Sequence, residues 1–203
     1  MYSVINMVNI TGISNTINEL DILYNSNSAQ GVYYSKLALL ELCGWIEQTM
    51  DNIIKDCSNS KLTEPANISF VEKKIIDRTN GFHYDSHFRP MLMKLIGLIK
   101  LEQIEIILKN SGDLSMLTSQ LGSLKAKRDQ AAHTTITGIT HSYDAPSILK
   151  NYLTRIHPIL TNIEAQVAAI NNVNQIKNTK PGCFMFFVIP ICLVFIYFLL
   201  HTF

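Results

Sequence analysis

The chain has 203 residues, and its 17 basic side chains against 16 acidic ones leave a formal net charge of +1. A near-neutral chain excludes a bulk electrostatic claim on nucleic acid or on an acidic partner, so any such contact has to be local. The length suits one core with an appendage. Four cysteines with no CxxC pair and no metal-ligand spacing fit a reducing compartment better than a disulfide framework.

The N-terminus, MYSVINMVNI, has no basic n-region and no small-residue cleavage site, which argues against a signal peptide. Residues 1–30 are expected to form a helix or an arm. Residues 32–56 place Leu37, Leu40, Trp45, Ile46, Met50, Ile53 and Ile54 at helical spacings without an internal proline, which predicts a long helix. The stretch SNSKLTEPAN reads as a break, and residues 68–78 read as a shorter helix that stops before the turn dipeptide Asn80-Gly81. Residues 88–109 carry Met91, Leu92, Leu95, Ile96, Leu98, Ile99, Ile104 and Ile107, which predicts a second long helix with Pro90 in its first turn. Asp113 suits a cap for a helix through Leu117, Leu121 and Leu124 into RDQAAH, residues 128–133. TTITGITHSYD then interrupts the helical pattern.

From Pro146, apolar residues recur at Leu149, Leu153, Ile156, Leu160, Ile163, Val167 and Ile170, a heptad-like seam that Pro158 should kink or break. The sum is an all-α chain. It reads as an up-and-down bundle of four to five helices over residues 1–172, followed by a linker at 173–182 and a C-terminal transmembrane helix at 183–201. The apolar run CFMFFVIPICLVFIYFLL, residues 183–200, contains no charged residue and meets the length of a membrane span. Pro190 is tolerable there. Lys177 and Lys180 precede the run and only HTF follows it, so the positive-inside tendency predicts a single-pass C-terminal anchor with the soluble domain cytoplasmic.

The chemistry centres on RDQAAH. Asp129 and His133 are four residues apart, so on an intact helix they share a face, and the carboxylate could fix the imidazole's tautomer and orientation. Arg128 lies about 140° from His133 around an ideal helix. Both line one site only where the helix ends at His133 or where two copies of it meet across a dimer axis. Ala131 and Ala132 would permit close approach. The guanidinium of Arg128 suits a phosphate oxygen, and Lys125 and Lys127 add local positive charge as candidate phosphate-binding residues.

KRDQAAHT, late in a helical chain whose earlier long helix reads LLELCGWIEQTMDNII, resembles the HEPN superfamily, whose motif is an arginine, four to six residues, then a histidine. The likeness covers roughly residues 30–172 in helix order, and its specific part is the short motif. By that resemblance the domain is a small helical bundle that dimerises with its motifs facing each other. The resemblance further implies a metal-independent endoribonuclease without a cofactor, of the kind found in toxin, phage-defence and RNA-processing systems, or else a catalytically inactive member that only binds. Arg128 would stabilise the scissile phosphate, His133 would transfer protons and Asp129 would organise them. Attack by a ribose 2′-hydroxyl would leave a 2′,3′-cyclic phosphate and a free 5′-hydroxyl. An antitoxin or other regulatory partner would be expected for a toxin. HEPN toxins paired with nucleotidyltransferase antitoxins often carry a tyrosine two positions after the histidine, where this chain has Thr135.

Other motifs compete with this one. RTNGFH, residues 78–83, has the same Arg-to-His spacing but contains the helix-ending Asn-Gly. HYDSH offers His83, Asp85 and His87 as metal ligands without the further donors of a hydrolytic centre. Its plainer reading is Asp85 or Ser86 capping a helix while Phe82, Tyr84 and Phe88 pack inward. In GWIEQ, Trp45 reads as core packing and Glu47 as a solvated face or a support to the site. A different class of function is a helical binding or scaffold module that engages a partner through the 149–170 seam and is tethered by the C-terminal anchor.

Overall fold

The structure, a computed structural model, describes residues 8–132 and 142–176. Seven α-helices and no strand occupy these residues, in agreement with an all-α chain. Residues 133–141 and 177–203 lie outside the described residues, and with them His133, Thr135, most of the TTITGITHSYD segment and the whole expected membrane span. Among the described residues no helix is long and apolar enough to cross a membrane. Two compact units divide the chain, Met1–Ala169 and Ile170–Phe203.

Helix α1 (Thr11–Ser26) packs on α2 (Gly31–Lys61) through Ile13, Ile17 and Leu20. α2 is the long helix expected near residues 32–56, extended at both ends. It buries Leu39, Leu42, Cys43, Ile46, Met50, Ile53 and Ile54 along one stripe, as an amphipathic core helix must. Two members of the expected stripe, Leu37 and Leu40, stay on the outer edge.

α3 (Pro65–Phe70) has its proline in the first turn, where the missing N–H has no intrahelical partner to lose. It continues as a π-helical segment, Val71–Ile76. A second π-helical turn, Tyr84–Phe88, leads into α4 (Arg89–Ile96). Phe82, Tyr84 and Phe88 are buried as expected. Neither Asp85 nor Ser86 caps α4, because the chain enters it already helical through the π turn, and the Ser86 hydroxyl lies against His87 Nδ1 at 3.1 Å instead.

The single helix expected over residues 88–109 is two helices. Gly97, at φ 80°, separates α4 from α5 (Leu98–Asn110), a left-handed conformation that glycine adopts without steric cost. The break resets the helical phase, so α5 buries Leu101, Ile104, Glu105 and Leu108, whereas Leu98, Ile99 and Ile107 point outward. This division, the separate α1 and the short α3 raise the helix count above four or five.

α6 (Asp113–Ala132) follows a turn at Gly112 and buries Leu117, Leu121, Leu124 and Ala131. Its Asp113 accepts a hydrogen bond from the Ser111 hydroxyl at 2.8 Å. α7 (Pro146–Ile176) runs unbroken past Pro158. Leu149, Leu153, Ile156, Leu160, Ile163 and Val167 of the expected seam are buried, so the bundle's own core occupies that face. Tyr152 meets Ser123 of α6 at 3.0 Å, and Lys150 pairs with Asp21 of α1 at 3.0 Å. The segment before α1 is pinned by Trp45, whose Nε1–H donates to the Asn9 carbonyl, and by His157, whose Nε2 lies 3.1 Å from the Val8 carbonyl.

Candidate functional site around Arg128

Arg128 projects from the last turns of α6 at the edge of the buried Leu117–Leu121–Leu124 stripe. At that position its stem meets the core while its head reaches the surface. The guanidinium lies over the Phe82 ring, 5.3 Å from its centroid. Its Nη2 is 3.2 Å from Asp129 Oδ1, and its Nη1 is 3.9 Å from Glu47 Oε2. Three segments remote in sequence therefore restrain one side chain: α2 through Glu47, the 77–83 connection through Phe82, and α6 itself.

Glu47 also accepts the Gly81 N–H on Oε1. Gly81 has φ 126°, and the site of its absent Cβ lies 3.1 Å from the His87 ring, so a side chain there would be both strained and crowded. The connection that carries Gly81 and Phe82 is bounded by the two π-helical segments, an irregular geometry that often marks functional positions. RTNGFH thus reaches the Arg128 cluster as its wall, through Gly81 and Phe82.

Asp129 sits between two cations, with Lys125 Nζ 2.6 Å from Oδ2 one turn back and Arg128 on Oδ1. The Lys125 hydrogen bond, seconded by Arg128, holds its carboxyl below the usual carboxylate range. Lys125 and Arg128 are thereby brought together through Asp129. Lys127 is not, because it falls about 200° from Lys125 around the helix and pairs with Asp144, just before α7, at 2.8 Å. Beneath the cluster, burial pushes the Cys43 thiol up to about 12, so it is an inert core group rather than a nucleophile.

Asp51, one turn after Glu47 on α2, is the unsettled carboxyl of this region. Burial, then the neighbouring charges of Glu47 and Asp77, push it up to about 6. In the rival HYDSH segment, His83 Nδ1 is buried without a hydrogen-bond partner and His87 packs on Gly81. No group of three metal-ligating side chains occurs among the described residues.

The second polar cluster had no motif to announce it. Glu105 is 6% exposed and takes Arg89 Nε on Oε1 at 2.6 Å, Arg89 Nη2 on Oε2 at 3.3 Å, and the Tyr84 hydroxyl at 3.0 Å. Burial alone would raise its carboxyl, but the hydrogen bonds from Arg89 and Tyr84 outweigh it and hold the carboxyl low. The sequence did contain a signal, since an acid inside the apolar spacing Leu101, Ile104, Leu108 requires a cation from elsewhere. Comparisons of the chain with family models, with curated proteins and with solved structures found no match.

Proposed function

We propose that the chain is a HEPN-type, metal-independent endoribonuclease, possessing a C-terminal membrane anchor at residues 183–201 and acting as a toxin or phage-defence effector. One observation carries the site: the Arg128 guanidinium is oriented at the surface end of α6 by Phe82, Glu47 and Asp129, five residues before His133. A pre-oriented planar cation at that place suits the charge that builds on a phosphorane in the transition state.

In this reading the ribose 2′-hydroxyl attacks the adjacent phosphorus while His133 takes its proton. The P–O5′ bond breaks, His133 returns that proton to the departing 5′-oxygen, and a 2′,3′-cyclic phosphate remains. Arg128 holds the non-bridging oxygens, Asp129 fixes Arg128, and Lys125 adds charge beside them. Two copies, each contributing an α6, would complete the site as a homodimer. The anchor rests on the uncharged apolar run and on the lysines before it.

The second reading is a helical binding module tethered by the same anchor. It is favoured by the two carboxylates that already flank Arg128 and offset its charge. The full chain and its His133→Ala variant, both given total RNA in EDTA, separate the two. Cleavage lost with folding retained supports the enzyme, whereas an equal absence of cleavage in two folded proteins supports the module.

A further inference from the structure

A cleft of about 680 Å³ opens at the other end of α6, between the start of that helix, the π turn before α4, and α5. Its volume lies in the range of small-ligand sites. Arg89 reaches it with two of its three nitrogens already fixed on Glu105, so the remaining Nη1 edge is held in a set orientation. Lys109, one turn after Glu105 on the same face of α5, also lines the cleft, and among the described residues no carboxylate pairs with it within 4 Å. On the opposite wall Ser119 presents an exposed hydroxyl, and Asp85 stands exposed at the mouth. Arg89 and Glu105 offset each other, which leaves the Lys109 ammonium, the unbonded edge of the guanidinium and a hydroxyl as donors beside the exposed Asp85 carboxylate.

That donor set matches the oxygens of a phosphoryl group, and the carboxylate matches a hydroxyl or amino donor attached to it. We infer that this cleft binds a nucleotide unit of an RNA strand, with its phosphate on Arg89, Lys109 and Ser119. The assignment rests on the ribonuclease reading and gives it a substrate path. Thr118 of the cleft, Gly122, Lys125 and Asp129 recur at four- and three-residue steps, so they share one face of α6. Thr118 and Lys125 are about 10 Å apart along the axis, which a stacked strand at about 3.4 Å per nucleotide covers in roughly three nucleotides. Gly122 leaves the intervening surface open, with nothing within 4 Å of where a Cβ would stand. A strand laid along this face would occupy the cleft and the Arg128 site together.

The test measures binding of a fluorescein-labelled 12-nucleotide single-stranded RNA to the full chain in detergent. All proteins carry His133→Ala so that the probe survives. Lys109→Glu and, separately, Ser119→Asp are each expected to weaken binding about tenfold. Lys109→Glu should also reduce the salt dependence by about one released counterion, and Lys109→Arg should restore affinity. Unchanged 12-mer affinity in both charge variants overturns the proposal, as does the absence of RNA binding by the parent. Displacement of the 12-mer by a micromolar nucleoside monophosphate would assign the cleft to a free nucleotide and overturn the strand. Cleavage by the unsubstituted chain is scored separately. Activity with no effect at Lys109 or Ser119 removes the subsite alone, and RNA binding lost in those variants without parental cleavage removes the enzyme alone.

Discussion

Two arginines, Arg89 and Arg128, stand near opposite ends of α6 against carboxylates, and they are held differently. Arg89 grips a 6%-exposed Glu105 through two nitrogens, at 2.6 and 3.3 Å, with a buried tyrosine hydroxyl on the same carboxylate. Arg128 is 3.2 Å from one carboxylate and 3.9 Å from another, both on partly exposed side chains, and rests on an aromatic face. A charge-assisted fork on a buried acid fixes a fold, because the acid is out of water and would be an unpaired charge without the arginine. A looser cation at the surface adds little to stability and can exchange its partners for a substrate. The contrast assigns the Glu105-bound side of Arg89 to architecture and the head of Arg128 to function.

The largest effect expected from that contrast is on folding. Glu105→Ala leaves the buried Tyr84 hydroxyl and two nitrogens of the partly exposed Arg89 without their acceptor and should cost about 1–3 kcal/mol, read as a lowered urea midpoint. Arg128→Ala should change the unfolding free energy by less than about 1 kcal/mol while reducing RNA cleavage by about 10²–10³-fold. If the two variants exchanged these effects, the comparison would fail. Glu47→Gln sharpens it, because it keeps the shape but weakens both the hold on Arg128 and the bond from Gly81. A stability loss of about 1 kcal/mol and a fall in cleavage smaller than that of Arg128→Ala are expected.

The smallest effect concerns pH. Asp51 is pushed up to about 6 by burial and by Glu47 and Asp77, above the value near 3.9 of an unfolded aspartate. A raised acid binds its proton more tightly when folded, so its contribution is favourable at low pH and is lost as pH rises from about 4 through about 6. Asp51→Asn should therefore raise the melting temperature at pH 7 by about 2–4 °C, with no gain at pH 4. A gain of the same size at both pH values would contradict this account of Asp51.

The parts of the fold that depend on local spacing were legible in the sequence. The 3.6-residue period placed α2, α6 and α7, and the α7 seam from Leu149 to Val167 proved to be core. The division at Gly97 was not read, because an isolated glycine inside an apolar helical pattern is usually tolerated, and only its φ reveals that it changes the helical phase. Pro158 is expected to kink or break α7; the helix does not break there, and the packed face on either side carries it past the proline. At the site, Arg128, Asp129 and Lys125 were legible as neighbours in one helix. Gly81 and Phe82 were not, because their approach to Arg128 depends on how α2 and the 77–83 connection fold against α6, which no local pattern encodes. Lys127 was grouped with Lys125 by nearness in sequence, but helical geometry sends it toward Asp144.

The most direct test of the central claim is the chemistry of the RNA ends. The full chain and its Arg128→Ala/His133→Ala double variant would be incubated with RNA in EDTA, and the products mapped for their terminal groups. The account predicts cleavage by the parent alone, leaving 2′,3′-cyclic phosphate and 5′-hydroxyl ends despite the chelator. Cleavage that persists in the double variant, products with 5′-phosphate ends, or no cleavage by a folded parent would contradict it.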